Sequence, residues 1–276
     1  MIHTVPNEEV DVLVEFTHDR EGCSLHFWRG GDPAKPLIVL THGAGADHHT
    51  FDAQLPVLLD DYQVLLWDMR GHGLSRPMGA PFTIPRATAD LLAMLDHLQV
   101  QPAIFMGHSM GGSVVQEVVY QQPDRVRAAI IIDSTCNTLP ISAGEKFAAK
   151  IAPLVFKLLP YEPLKRSSAK ASGFQPEVQA YVFNAMSQVT KDEFTSFIVA
   201  GLNNLHAEAN YRIRQPLLLV HGDHDETGNI KKIAPTWAKR EPHCRYVVIP
   251  NARHCAHQDN ADFFNRVLIE FLHELP

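Results

Sequence analysis

Six short stretches of this chain read as strands: PLIVLTHG (36–43), YQVLLWDMRG (62–71), AIFMGHS (103–109), VRAAIIIDST (126–135), QPLLLVHGDHD (215–225) and CRYVVIPNARH (244–254). Several are apolar on successive residues. A strand with one wet face alternates apolar and polar side chains, whereas a run apolar on both parities is buried on both faces, as in a parallel sheet covered by helices. Helical patterns separate the runs at 86–99, 111–122, about 230–239 and about 262–273, the last with apolar spacing at Phe263, Val267 and Phe271. Strand–helix alternation of this kind predicts an α/β fold with a parallel sheet and right-handed crossovers. Near the start, VDVLVEFT and CSLHFW alternate and predict an antiparallel edge hairpin.

Residues 137–210 break the rhythm. They hold no strand-like run, only the helical pieces GEKFAAKIAPLVFKLL, PEVQAYVFNAMSQV and DEFTSFIVAGLNN, punctuated by Pro140, Pro160, Pro163 and Pro176. This predicts a core of residues 1–136 and 211–276 with a helical cap, 137–210, inserted between two sheet strands. A length of 276 residues is within reach of one α/β domain, and a net charge of −7 gives no basic footprint for nucleic acid. Cys23, Cys136, Cys244 and Cys255 form no C-x-x-C pair and are expected to be reduced thiols. There is no basic flank leading into an apolar leader and no run of about 18 apolar residues. The expectation is a cytoplasmic protein with neither nucleic acid nor membrane as partner; its oligomeric state is left open.

The stretch MGHSMGG sets Ser109 between a buried strand and a helix. A sharp strand-to-helix turn crowds the residues two before and two after its apex, and those are Gly107 and Gly111, which carry no Cβ. A lone serine is a poor nucleophile and needs a base, which in turn needs an orienting acid. His254 lies just past the last strand and Asp225 just past the preceding one, giving the order Ser109…Asp225…His254 expected for such an elbow. All three fall at carboxyl ends of predicted parallel strands, where open α/β sheets carry their sites. Asp223, Asp133 and Asp259 compete as the acid and His257 as the base; the Gly222-to-Asp225 spacing and the nearness of His254 to its strand end favour Asp225 and His254. The backbone N–H groups of Met110 and of Ala44, in the HGAGAD loop, are the candidate oxyanion donors.

HGAG, DMRGHGLS, GHSMGG and the closing Asp225–His254 pair, in that order, resemble the α/β-hydrolase fold superfamily in its capped, esterase-like branch, over nearly the whole chain. The resemblance implies a mostly parallel eight-stranded sheet flanked by helices, a cap after the sixth strand, and a Ser–His–acid hydrolase that needs no cofactor. It also implies that Asp68, Arg70 and His72 hold their loop and take no chemical part. Sixteen histidines raise the question of a metal, but no H-E-x-x-H or H-x-H-x-D-H string occurs, so no metal is expected. Of the cap's Phe147, Phe156, Tyr161, Phe174, Tyr181, Phe183, Met186, Phe194 and Phe197, most are expected to build its own core and its seam with the sheet. A few, Phe183 and Met186 among them, are expected to line an apolar pocket with His108. The substrate expected is a small-to-medium carboxylic ester or a lactone. Three alternatives stay open: carbon–carbon bond hydrolysis of ring-cleavage products, for which His108 stands where Asn is often found; cofactor-free perhydrolase or haloperoxidase-like chemistry; and a slow-turnover ligand receptor.

Overall fold

The computed structural model describes residues 13–100 and 102–276. Eight strands form one sheet: β1 (Val14–Arg20), β2 (Cys23–Gly30), β3 (Leu37–Thr41), β4 (Gln63–Trp67), β5 (Ala103–His108), β6 (Val126–Ile132), β7 (Leu217–Gly222) and β8 (Cys244–Ile249). Their order is β1-β2-β4-β3-β5-β6-β7-β8. The β1–β2 hairpin is antiparallel and joins β4 antiparallel; from β4 to β8 every neighbouring pair is parallel. The six predicted internal strands and the edge hairpin are all present, although the first residues of VDVLVEFT lie outside the described residues.

The apolar runs behave as their pattern demands. Val39, Leu65, Phe105, Ile131 and Leu219 face one layer, while Ile38, Leu40, Leu66, Ile104, Ile130, Leu218 and Val220 face the other. Helices α2 (Ile84–His97), α3 (Met110–Gln121) and α8 (Ile230–Arg240) cover the first face. The short α1 (Leu55–Leu58) and the C-terminal α10 (Ala261–His273) cover the second. Four helices follow β6 and precede β7: α4 (Ala143–Leu158), α5 (Tyr161–Ser172), α6 (Pro176–Ser187) and α7 (Lys191–Asn203); the single turn α9 (Ala256–Asp259) follows β8. Three helical pieces were predicted between β6 and β7, and α5 is the one missed. Its Pro163 read as a breaker, but it stands in the first helical turn, where no intrahelical N–H is required.

The loop after β4 is held as the resemblance implied. Asp68, fully buried, accepts from the N–H groups of His48 (2.9 Å) and Leu74 (2.8 Å). Arg70 grips Asp90 with two bonds of 2.6 and 2.8 Å, both side chains being out of contact with solvent. His72 stacks on Phe197 with centroids 3.9 Å apart. Removing one partner of a buried pair strands the other charge. Arg70→Ala is therefore expected to lower unfolding free energy by about 3 kcal/mol, read from urea denaturation.

Candidate active site

The strand order reverses between β3 and β5, since β4 adds on one side of β3 and β5 on the other. Loops leaving the two strands at such a point diverge and open a crevice. The HGAGAD loop leaves β3 there, and Ser109 leaves β5. Ser109 has φ 52° and ψ −118°, a conformation costly for a residue with a Cβ, and its N–H donates to Ile132 on β6 at 2.8 Å. The flanking glycines are needed for close approach. A Cβ on Gly107 would stand 2.4 Å from the Gly111 carbonyl oxygen, and one on Gly111 would stand 2.1 Å from the Thr41 carbonyl oxygen of β3. Gly111→Ala must therefore force α3 off β3. We expect a loss of about 3 kcal/mol or more in stability, measured by thermal or urea unfolding, together with loss of activity.

Ser109 Oγ lies 2.9 Å from His254 Nε2, and His254 Nδ1 lies 3.1 Å from Asp225 Oδ2. The other Asp225 oxygen accepts from the Thr227 N–H at 2.8 Å. Burial pushes the Asp225 carboxyl up, but His254 and the Thr227 N–H outweigh it and hold the group below the usual carboxylate range. The ring of His254 is thus oriented with Nδ1–H toward a carboxylate and Nε2 free to accept the Ser109 hydroxyl proton.

Asp133, Asp223 and Asp259 each accept other hydrogen bonds. Asp133, fully buried at φ 45°, accepts from Gly222 N–H through one oxygen and Ala256 N–H through the other, both at 2.9 Å. It ties the loop carrying Asp225 to the loop carrying His254. Burial, and then the Asp225 charge beside it, push its carboxyl well up. Asp223 accepts from Ala252 N–H and pairs with His224. Asp259 accepts from the N–H groups of Phe174, Gln175 and Arg253, pinning the helical insertion to the His254 loop. His257 turns away from Ser109 and donates through Nε2 to the Thr50 carbonyl at 3.0 Å; burial pushes it down to about 3. Two sets of potential metal ligands lie close together, His108–Asp133–His257 and Asp133–Asp225–His254. Both depend on Asp133, whose two oxygens already accept backbone N–H groups.

Ala44 lies on the wall of the cleft beside Gly43 and Gly45, while Met110 N–H opens α3 directly after Ser109. Among the described residues no group accepts from either amide. The loop can press this close because Gly45 has φ 70°, and a Cβ on Gly43 would stand 3.2 Å from the Cβ of Ser109. Beneath it, His42 donates through Nδ1 to the Gly43 carbonyl (2.8 Å) and accepts from Met69 N–H (2.9 Å).

The cleft, partly open to solvent, is lined by Gly43, Ala44, Gly45, Ala46, Thr50, His108, Ser109, Ser172, Tyr181, Val182, Met186, His254 and Cys255. His108 and Met186 are both on its wall. His108 also donates through Nε2 to the His254 carbonyl at 2.8 Å; burial, reinforced by the neighbouring His257 and His254, holds its ring well below the ordinary imidazole value. Phe183 does not line the cleft: its ring faces outward under Lys165 (4.7 Å) and Arg166 (5.1 Å). Phe147, placed by the sequence in the cap's core or pocket, is 64% exposed. Helix α6 turns Tyr181, Val182 and Met186 inward instead, and the Tyr181 hydroxyl donates to Asp47 in the HGAGAD loop at 3.0 Å. Sequence reasoning missed Thr50, Ser172, Val182 and Cys255. Only Cys255, next to His254, carried a positional hint.

A family model described as alpha/beta hydrolase fold matches residues 36–261. The 3-oxoadipate enol-lactonase 2 of Acinetobacter baylyi is 25% identical over 211 residues, covering 74% of this chain and 77% of that protein. A non-heme haloperoxidase of Rhodococcus erythropolis is 26% identical, covering 93% of this chain and 98% of its own length. In three dimensions the chain is similar to the enol-lactonase of Burkholderia xenovorans, with a TM-score of 0.81 at 24% identity, over 94% of this chain and 100% of that one.

Proposed function

The chain belongs to the alpha/beta hydrolase fold family, and from that premise we propose that it is a serine hydrolase of small carboxylic esters or lactones. The observation that carries the reading is the relay Ser109 Oγ–His254 Nε2, 2.9 Å, and His254 Nδ1–Asp225, 3.1 Å, opening onto a cleft under a helical cap. His254 takes the Ser109 proton as Oγ attacks the substrate carbonyl, and Asp225 stabilises the imidazolium that forms. The amides of Ala44 and Met110 donate to the oxyanion of the tetrahedral intermediate. His254 then returns the proton to the leaving alkoxide, the acyl group stays on Ser109, and a water activated by His254 releases it as the acid. For a lactone the leaving alkoxide is tethered to the acyl group, so one hydroxy acid leaves.

The resemblance to an enol-lactonase supports a compact cyclic or short-chain substrate. A second reading, perhydrolysis, draws on the similarity to a haloperoxidase: the same acyl-enzyme would be released by hydrogen peroxide in place of water, giving a peracid. Labelling with a fluorophosphonate followed by peptide mapping tests the proposal. The label must fall on the peptide containing Ser109; label elsewhere, or label that survives Ser109→Ala, overturns it. Peracid formation from acetate and peroxide separates the second reading from the first.

A further inference from the structure

Helix α4 presents an apolar face to solvent. Phe147, Ile151, Leu154, Val155 and Leu158 recur at helical spacing on one side, and Phe147, Leu154 and Leu158 are 64%, 61% and 74% exposed. Capping places the helix firmly: Ser142 and Glu145 close a capping box, and Glu145 also accepts from Asn229 at 2.9 Å. The opposite side holds the helix to the protein, where Phe156 packs edge-on against Phe194 of α7 with centroids 6.3 Å apart. The exposed stripe is therefore not a face left over from packing; the inward face is already occupied.

Along one edge of that stripe run Lys146, Lys150 and Lys157, again at helical spacing and all exposed. None of the three forms an ion pair among the described residues. Helix α4 thus holds three lysines against the single Glu145, in a chain whose net charge is −7. An apolar stripe edged by unpaired lysines is the arrangement of a helix that lies in the headgroup region of an anionic bilayer, with apolar side chains sunk toward the acyl boundary and ammonium groups reaching back to phosphates. Association of two copies through this face in antiparallel fashion would bring both rows of lysines to the same edge, which repels.

We propose that α4 docks the protein onto anionic lipid surfaces, with the cap facing the bilayer. The inference is independent of the chemistry at Ser109. The expectation of no membrane partner rested on the absence of a long apolar run, whereas docking needs only one helix face. The face is separated from the cleft by α7: Phe194 packs on Phe156 on one side, and a Cβ on Gly45 would stand 3.0 Å from its ring on the other.

Co-sedimentation with vesicles of phosphatidylcholine alone, or mixed with phosphatidylglycerol, tests this. The wild-type protein should pellet with the phosphatidylglycerol vesicles and leave them at high salt, where the screening length shrinks to about 3 Å. Leu154→Glu/Leu158→Glu should weaken binding by about a hundred-fold or more, and Lys146→Gln/Lys150→Gln/Lys157→Gln by about five-fold per lysine. Both variants change exposed residues only, so circular dichroism and turnover of a soluble p-nitrophenyl ester should match wild type. The proposal is overturned by failure to bind phosphatidylglycerol vesicles, by equal binding to phosphatidylcholine, or by binding that both variants leave unchanged. Sedimentation velocity supplies one more overturning result: a wild-type dimer that Leu154→Glu/Leu158→Glu converts to monomer, with no vesicle binding, assigns the face to a second copy.

Discussion

Ser109→Ala should lower kcat for a p-nitrophenyl ester by about 10⁶-fold, leaving KM within a few-fold and the fold unchanged. The reaction proposed here has a single nucleophile, and among the described residues its hydroxyl is the group 2.9 Å from His254 Nε2 that can attack a carbonyl in the cleft. The residual rate would come from binding and from the Ala44 and Met110 amides acting on attack by water. Because Ser109 and His254 act as one unit, Ser109→Ala/His254→Ala should be no slower than either single variant. Steady-state kinetics on protein purified free of host esterase gives the answer, and a loss of only about ten-fold in Ser109→Ala would point to a different nucleophile.

Asp225→Asn is expected to cost about 10⁴-fold in kcat with little loss of stability. The reason is specific to the hydrogen bonds around it. Asp225 Oδ1 accepts from Thr227 N–H, so an Asn at this position keeps its carbonyl oxygen there and turns its NH₂ toward His254 Nδ1. A donor facing Nδ1 moves the imidazole proton to Nε2, which then cannot accept from Ser109. Asp133→Asn should behave in the opposite way. Both oxygens of Asp133 accept backbone N–H bonds in a fully buried position, so an amide there sets NH₂ against the N–H of Gly222 or Ala256. The expected cost is about 1–3 kcal/mol of stability, with a smaller fall in kcat than for Asp225→Asn. Urea unfolding and kinetics on the same two preparations separate the effects. A 10⁴-fold loss in a stable Asp133→Asn protein, with Asp225→Asn near wild type, would move the acid to Asp133.

The two carboxylates show how far the sequence carries. Both lie in a loop that follows a parallel strand, and both lie within 4.8 Å of a nitrogen of His254. What separates them is which backbone N–H groups each meets, and that depends on the register of β6, β7 and β8. Asp223 and Asp259 are separated from Asp225 in the same way, by the amides of Ala252, Phe174, Gln175 and Arg253. The spacing after Gly222 favoured Asp225, and in the folded loops it is Asp225 whose oxygen stands 3.1 Å from His254 Nδ1.

The helical insertion was less legible. Its helices were visible as apolar periodicity, yet periodicity does not say which side of a helix meets the sheet. Phe183 and Met186 were expected to share the pocket, and α6 turns Met186 inward with Tyr181 and Val182 while Phe183 meets Lys165 and Arg166. Phe147 belonged, by its residue type, to an interior, and α4 leaves it in solvent. The rotation of a packed helix is set by its neighbours, here Phe194 for α4 and the Asp47–Tyr181 hydrogen bond for α6.

By itself the sequence determined the sheet and the sharp turn at Ser109. Strands apolar on both parities have only one way to be buried, and a turn as sharp as the one at Ser109 needs glycine at 107 and 111 because carbonyl oxygens stand where a Cβ would go. Only the tertiary structure decided which carboxylate lies within hydrogen-bond reach of His254 and which faces of the insertion look into the cleft. Those choices rest on hydrogen bonds and contacts between segments far apart in the chain, which no local pattern of residue types encodes.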